Sequence, residues 1–102
     1  MFWQFYLCAF FAGVFLANAI PHFIQGVCGN KFPTPFAKPP GKGLSSAPVN
    51  VIWGLFNAII GTILFIHSAI KAGTTWLWVT FFAGAALIGI QLSIHFTKKD
   101  KE

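Results

Sequence analysis

The chain has 102 residues, of which 56% are hydrophobic and only 9% are charged, and its formal net charge is +5. A soluble chain this short could not bury so much apolar surface around one core, so the composition excludes an ordinary soluble globule and favours a membrane protein. The positive charge comes from lysines beside apolar stretches rather than from a basic face interleaved with aromatic rings. We therefore expect no nucleic-acid partner, and instead a lipid bilayer with possible contacts to anionic lipid.

Three uncharged apolar stretches organise the chain, at about 2–23, 49–70 and 76–96. About 20 apolar residues in a helix cross a hydrocarbon core roughly 30 Å thick. The sequence therefore predicts an all-α integral membrane protein with three transmembrane helices, forming a single membrane domain over residues 1–102. Pro21 removes a backbone hydrogen bond near the inner end of the first span, so we predict that this helix kinks or ends there.

The two connections differ in kind. The first, 25–48, holds five prolines and four glycines, which excludes a regular helix. We expect it to be an ordered loop on the cytoplasmic surface or folded back between helices, with Phe32 and Phe36 in the headgroup zone. The second connection is a tight turn around Gly73, so the second and third spans are predicted to form an antiparallel hairpin.

Lysine placement predicts the orientation. Only Lys71 lies in the second connection, whereas the first loop and the tail 97–102 share the other six: Lys31, Lys38, Lys42, Lys98, Lys99 and Lys101. The positive-inside rule then places the N-terminus outside and the loop and C-terminus in the cytoplasm.

One stripe at helical spacing, rich in polar and small residues, runs along each span: Asn18, His22 and Gln25 on the first, Asn50, Gly54, Asn57, Gly61 and Ser68 on the second, and Gly84, Ile88, Gln91 and His95 on the third. One amide from each helix falls at similar depth, and a second layer follows towards the cytoplasm. We predict that these groups converge between the helices, either as interhelical hydrogen bonds or as a ligand-binding pocket open to the cytoplasm. The candidate ligand-binding residues are Asn18, His22, Asn50, Asn57, Gln91 and His95.

The histidines leave three alternatives open. His22 and His95 could ligate haem or a metal, His22 could handle protons, or both could be interfacial side chains that bond loop carbonyls or headgroups. Three thin helices offer little room for haem, so we expect no cofactor and no metal.

A glycine- and serine-rich segment precedes the second span. It resembles a phosphate-binding loop but lacks the P-loop spacing, which leaves a weaker hypothesis of a lipid-headgroup site. Its residues are Lys42, Gly43, Ser45 and Ser46. The final stretch, Ser45 to Pro48, is typical of a helix start.

Acidic residues are confined to Asp100 and Glu102. Paired-carboxylate catalysis and a Ser-His-Asp arrangement therefore cannot be assembled from one chain, and we expect no enzymatic activity.

Three strings in the first 60 residues form a distinctive pattern: Asn18-Ala19-Ile20-Pro21-His22-Phe23, Phe32-Pro33-Thr34-Pro35-Phe36, and Asn50-Val51-Ile52-Trp53-Gly54 with Asn57. This pattern resembles that of a family of small bacterial inner-membrane proteins. The resemblance implies a location in the inner (plasma) membrane and carries no activity with it.

Two functions fit these features. The first hypothesis is an accessory or assembling subunit that packs against itself or against a larger membrane complex. The alternative is an oligomeric small channel or transporter with a polar site in the cytoplasmic half of the bundle.

Overall fold

The computed structural model describes residues 2–101, and the predicted all-helical architecture is confirmed. Helix α1 is Trp3–Val27, α2 is Ala47–His67 and α3 is Thr75–His95, followed by a short 3₁₀ turn at Phe96–Lys98. All three helices are long and apolar enough to cross a membrane. The protein is thus built as a multi-pass membrane protein.

Helix α1 continues past Pro21 to Val27, so the prediction that it could end at Pro21 is wrong. A proline costs the helix one hydrogen bond, but packing on the far side can offset that loss. Gly26 supplies such packing, since a Cβ added there would lie 2.7 Å from the Val51 side chain and 2.8 Å from the Ala47 carbonyl oxygen. The last turn of α1 is therefore held directly against the start of α2.

Helix α1 lies between the other two helices. Within residues 2–101, no Cα atom of α2 comes within 8 Å of one in α3. The two meet instead through aromatic rings near their connecting turn, with Phe65 at 5.8 Å from Trp78 and 5.5 Å from Phe81, measured between ring centroids. The tight turn is confirmed, and the two helices that it joins contact each other through these rings rather than through close backbone packing.

Glycines explain why α1 takes the central position. A Cβ on Gly13 would collide with the Phe81 carbonyl oxygen, and one on Gly84 would collide with the Phe10 carbonyl oxygen. On the other side, a Cβ on Gly54 would lie 2.8 Å from the Phe23 backbone nitrogen. Close backbone approach of this kind holds helices together in lipid, where there is no hydrophobic drive between them.

The start of α2 matches the sequence prediction. Ser46 is the N-cap and accepts a hydrogen bond from the Val49 backbone N–H at 3.4 Å, and proline lies in the first turn. The inward face of this helix also matches, because its buried side is the predicted stripe of Asn50, Gly54, Asn57 and Gly61.

Candidate functional site

The first loop is ordered and folds onto the end of the bundle. Its two ends pair, with the Phe32 N–H donating to the Ser45 carbonyl at 3.2 Å and the Ser45 N–H donating to Phe32 at 3.0 Å. Inside this closure, Thr34 Oγ1 lies 2.6 Å from Ser45 Oγ, and Thr34 is buried. The expectation that Phe32 lies in the headgroup zone is wrong, since its ring is buried; Phe36 is 67% exposed.

Asn50 joins the loop to the helices. Its side chain is fully buried, and Nδ2 donates to the carbonyls of Phe32 at 2.8 Å, Ser46 at 3.1 Å and Ser45 at 3.2 Å. Carbonyl oxygens only accept, so this set of partners fixes which end of the carboxamide is nitrogen. Oδ1 is thereby left to accept a hydrogen bond.

That hydrogen bond comes from His22. Nδ1 of His22 lies 2.9 Å from Asn50 Oδ1, so Nδ1 carries the proton and Nε2 of the neutral ring is an acceptor. The ring is only 3% exposed and is surrounded edge-on by three aromatic rings, with centroid distances of 5.4 Å to Phe32, 6.2 Å to Phe96 and 6.4 Å to Trp53. The orientation and tautomer of His22 are thus both determined by its neighbours.

A second amide pair lies one layer deeper. Asn18 Nδ2 donates to Asn57 Oδ1 at 3.0 Å, and Asn57 Nδ2 donates to the Trp53 carbonyl at 2.8 Å. The structure therefore brings together four of the candidate residues as two interhelical pairs between α1 and α2, and the predicted convergence is confirmed for these four.

Gln91 does not join them. Its side chain is exposed, and the side of α3 that meets α1 runs through Phe81, Gly84 and Leu92 to Phe96 in the following turn. A shift of one residue turns a side chain by about 100° around a helix, so Gln91 points away from the position that Leu92 occupies. The predicted convergence is wrong for Gln91.

His95 is exposed and takes part in a different contact. Its Nε2 donates to the Gly41 carbonyl at 2.7 Å, and nearby the Asp100 N–H donates to the Lys42 carbonyl at 2.9 Å. These bonds hold the end of α3 and the tail against the first loop. The interfacial alternative for His95, a bond to a loop carbonyl, is the one that the geometry supports.

The headgroup hypothesis finds little geometric support. The Gly43 N–H donates to the Pro39 carbonyl at 2.9 Å, Ser45 Oγ pairs with Thr34, and Ser46 caps α2. These groups already have partners within the chain, which leaves the exposed Lys42 side chain as the one member that could reach a phosphate.

A cleft of about 160 Å³ lies between the loop and the three helices. Its polar lining includes Asn18, His22 and Thr34, and its apolar lining includes Trp53, Leu92 and Phe96. The contribution of Thr34 and Phe96 was not predicted, because neither belongs to a periodic polar stripe. No sequence pattern predicts how a loop packs onto the end of a helix.

No family model, curated protein or solved structure matches this chain. What the cleft can bind must therefore be inferred from the side chains that line it. It offers hydrogen-bond acceptors and aromatic walls, and within residues 2–101 no group of three or more His, Cys, Asp or Glu side chains is placed to hold a metal ion.

Proposed function

We propose that this protein acts by binding within the membrane, as an accessory or assembling subunit that associates through the exposed side of α3. The observation that supports this function most strongly is the position of Gln91. Its amide is exposed, about 10 Å along the helix from Lys98, and it has no hydrogen-bond partner within residues 2–101.

An amide that faces hydrocarbon without a partner costs several kcal/mol. Intramembrane polar groups therefore face other protein or water. Helix α3 is also the least covered of the three. Only 11% of its most apolar 18-residue segment is buried, against 28% for α1 and 22% for α2. Both facts favour a protein partner against α3.

The surface around Gln91 has the shape for such a contact. A shallow groove follows one flank of α3, and Leu87, Ile94 and Lys98 line it together with Gln91. We refer to these four residues as the Gln91 surface. A carboxamide both donates and accepts, so two copies of this surface related by a two-fold axis can satisfy each other.

We expect Gln91→Leu to reduce self-association roughly eightfold, because the apolar replacement removes two interhelical hydrogen bonds of about 0.6 kcal/mol each. Energy transfer between labelled copies in lipid vesicles measures this. Thr62→Val is the matched control: Thr62 is also exposed, but its hydroxyl already donates to the Ala58 carbonyl at 2.7 Å, so association should not change. A wild-type protein that stays monomeric and co-purifies with no membrane partner would overturn the proposed function.

The same structure supports an orientation. The bonds from His95 to Gly41 and from Asp100 to Lys42 bring the loop and tail, with most of the lysines, to one end of the bundle. We propose that this end faces the cytoplasm and that the membrane is a bacterial inner membrane.

Thiol labelling on intact cells tests this orientation. Cys28 is exposed and free at the lysine-rich end, so a membrane-impermeant reagent should label it only after the cells are permeabilised. Ala72→Cys, in a Cys28→Ser background, places an exposed thiol in the opposite turn and should be labelled in intact cells. The reverse pattern would show that the orientation is inverted.

One observation favours the alternative, an oligomeric channel or transporter. The cleft beneath the first loop is lined by Asn18 and His22, which would give a solute polar contacts in the cytoplasmic half of the bundle.

A further inference from the structure

The cleft beneath the first loop is lined by a buried imidazole, that of His22, with one ring nitrogen that has no hydrogen-bond partner in the described part of the chain. Nδ1 of His22 is bonded to Asn50, while Nε2 has no hydrogen-bond partner within residues 2–101. Yet among those residues no enclosed side-chain nitrogen or oxygen lacks a partner. Nε2 of this 3% exposed ring must therefore keep a small accessible surface, and the cleft that His22 lines provides it.

The chemistry of Nε2 defines what the cleft can hold. Because Nδ1 carries the proton, Nε2 is an acceptor, and a ligand must donate a hydrogen bond to it. No carboxylate lines the cleft, so a cationic donor such as an ammonium group would lack a counter-charge there. A neutral donor, such as a hydroxyl group, meets both conditions.

The size and walls of the cleft define the rest of the ligand. Its volume is about 160 Å³, and an apolar protein cavity of about 150 Å³ holds one benzene ring. The rings of Trp53 and Phe96 line it and both contact the imidazole edge-on, and aromatic walls favour a flat ring in edge-to-face or offset contact. The carboxamide of Asn18 adds a second polar group at the deeper end.

From these three constraints we propose that the cleft binds a small neutral aromatic molecule with one hydroxyl group, which donates to His22 Nε2. This site lies apart from the Gln91 surface and does not depend on self-association. Two sources share this chemistry, a free phenolic solute and the phenolic headgroup of a membrane lipid.

Nitrogen NMR of the ¹⁵N-histidine-labelled protein in detergent tests the site directly. Phenol is the probe, and toluene is its control because it has the same shape without the hydroxyl. We expect phenol to shift the His22 Nε2 resonance in a saturable way, whereas toluene should leave that resonance in place. His67, in the last turn of α2 at the far end of the bundle, reports general uptake of either compound into the micelle and should not move.

A cavity-filling variant adds a second criterion. Leu92 lines the cleft but makes no polar contact, so Leu92→Phe should abolish the phenol shift while the His22 to Asn50 bond persists. The proposal is overturned if phenol leaves Nε2 unchanged, if toluene shifts it equally, or if the shift survives in the variant. The comparison of phenol with toluene uses the wild-type protein, so the test stands even if the variant does not fold.

A third compound, 4-hexylphenol, distinguishes a free phenolic solute from a lipid-borne phenolic headgroup. Tighter binding than phenol would assign the site to a lipid-borne headgroup whose tail extends into the bilayer. Weaker binding would assign it to a free solute.

Discussion

Gly13→Ala is expected to destabilise the protein by about 1–3 kcal/mol, because it forces α1 and α3 apart. The added Cβ would collide with the Phe81 carbonyl oxygen and lie 2.9 Å from the Ala85 backbone nitrogen. Neither neighbour is the end of a flexible side chain, so only a movement of whole helices can relieve the contact. Unfolding by SDS in mixed micelles, followed by helical circular dichroism, measures the change.

Gly89→Ala is the matched control for this prediction. Gly89 lies in the same helix that Gly13 packs against, but nothing lies within 4 Å of a Cβ added there. Alanine favours a helix over glycine by about 1 kcal/mol, so this variant should be neutral or slightly more stable. Equal losses in the two variants would show that α1 and α3 do not pack through Gly13.

Asn50→Leu is expected to release the first loop. Leucine is similar in size but cannot bond, so the buried Nδ1–H of His22 loses its acceptor and three loop carbonyls each lose one hydrogen bond. Leaving a buried donor without a partner costs about 1–3 kcal/mol. The carbonyls keep their backbone partners, so the effect should concentrate in residues 28–46 rather than unfold the helices.

The reactivity of a buried loop position reports this release. Ala37 is 7% exposed, so a thiol at Ala37→Cys, in a background lacking Cys8 and Cys28, should react slowly in the parent and at least tenfold faster with Asn50→Leu. Asn30→Leu removes an exposed bond to Gln25 instead and should leave the rate unchanged. A rate unaffected by Asn50→Leu would show that Asn50 does not hold the loop in place.

The inward face of α2 could be predicted because its pattern is unambiguous. Asn50, Gly54, Asn57 and Gly61 recur at helical spacing, and every one is polar or lacks a side chain, in a helix whose other residues are mostly apolar. In lipid, small and polar residues mark the protein-facing side. The pairing of these amides with α1 could be predicted as well, because Asn18 and His22 recur at the same spacing and depth.

The face of α3 could not be predicted in this way. Gln91 and His95 form a polar stripe with Gly84, while Leu77, Phe81 and Leu92 look like lipid-facing residues. Gly84 does face the Phe10 backbone, but from there the contact row continues in steps of four residues through Ile88 and Leu92, not by the step of seven that leads to Gln91. The crossing of α3 over α1, which the sequence does not contain, therefore decides that Leu92 and not Gln91 faces inward.

The amino-acid sequence alone determined the three spans, the character of the two connections, the clustering of lysines at one end and the buried stripe of α2. These properties depend on hydrophobic length, on the limits that proline and glycine place on the backbone, and on local spacing. Only the tertiary structure decided that α1 lies in the centre, that it continues past Pro21, that Gln91 faces outward and that the loop closes over His22. Each of these depends on contacts between distant residues, and in a bilayer apolar side chains are equally stable against lipid and against protein, so hydrophobicity cannot choose among the possible packings.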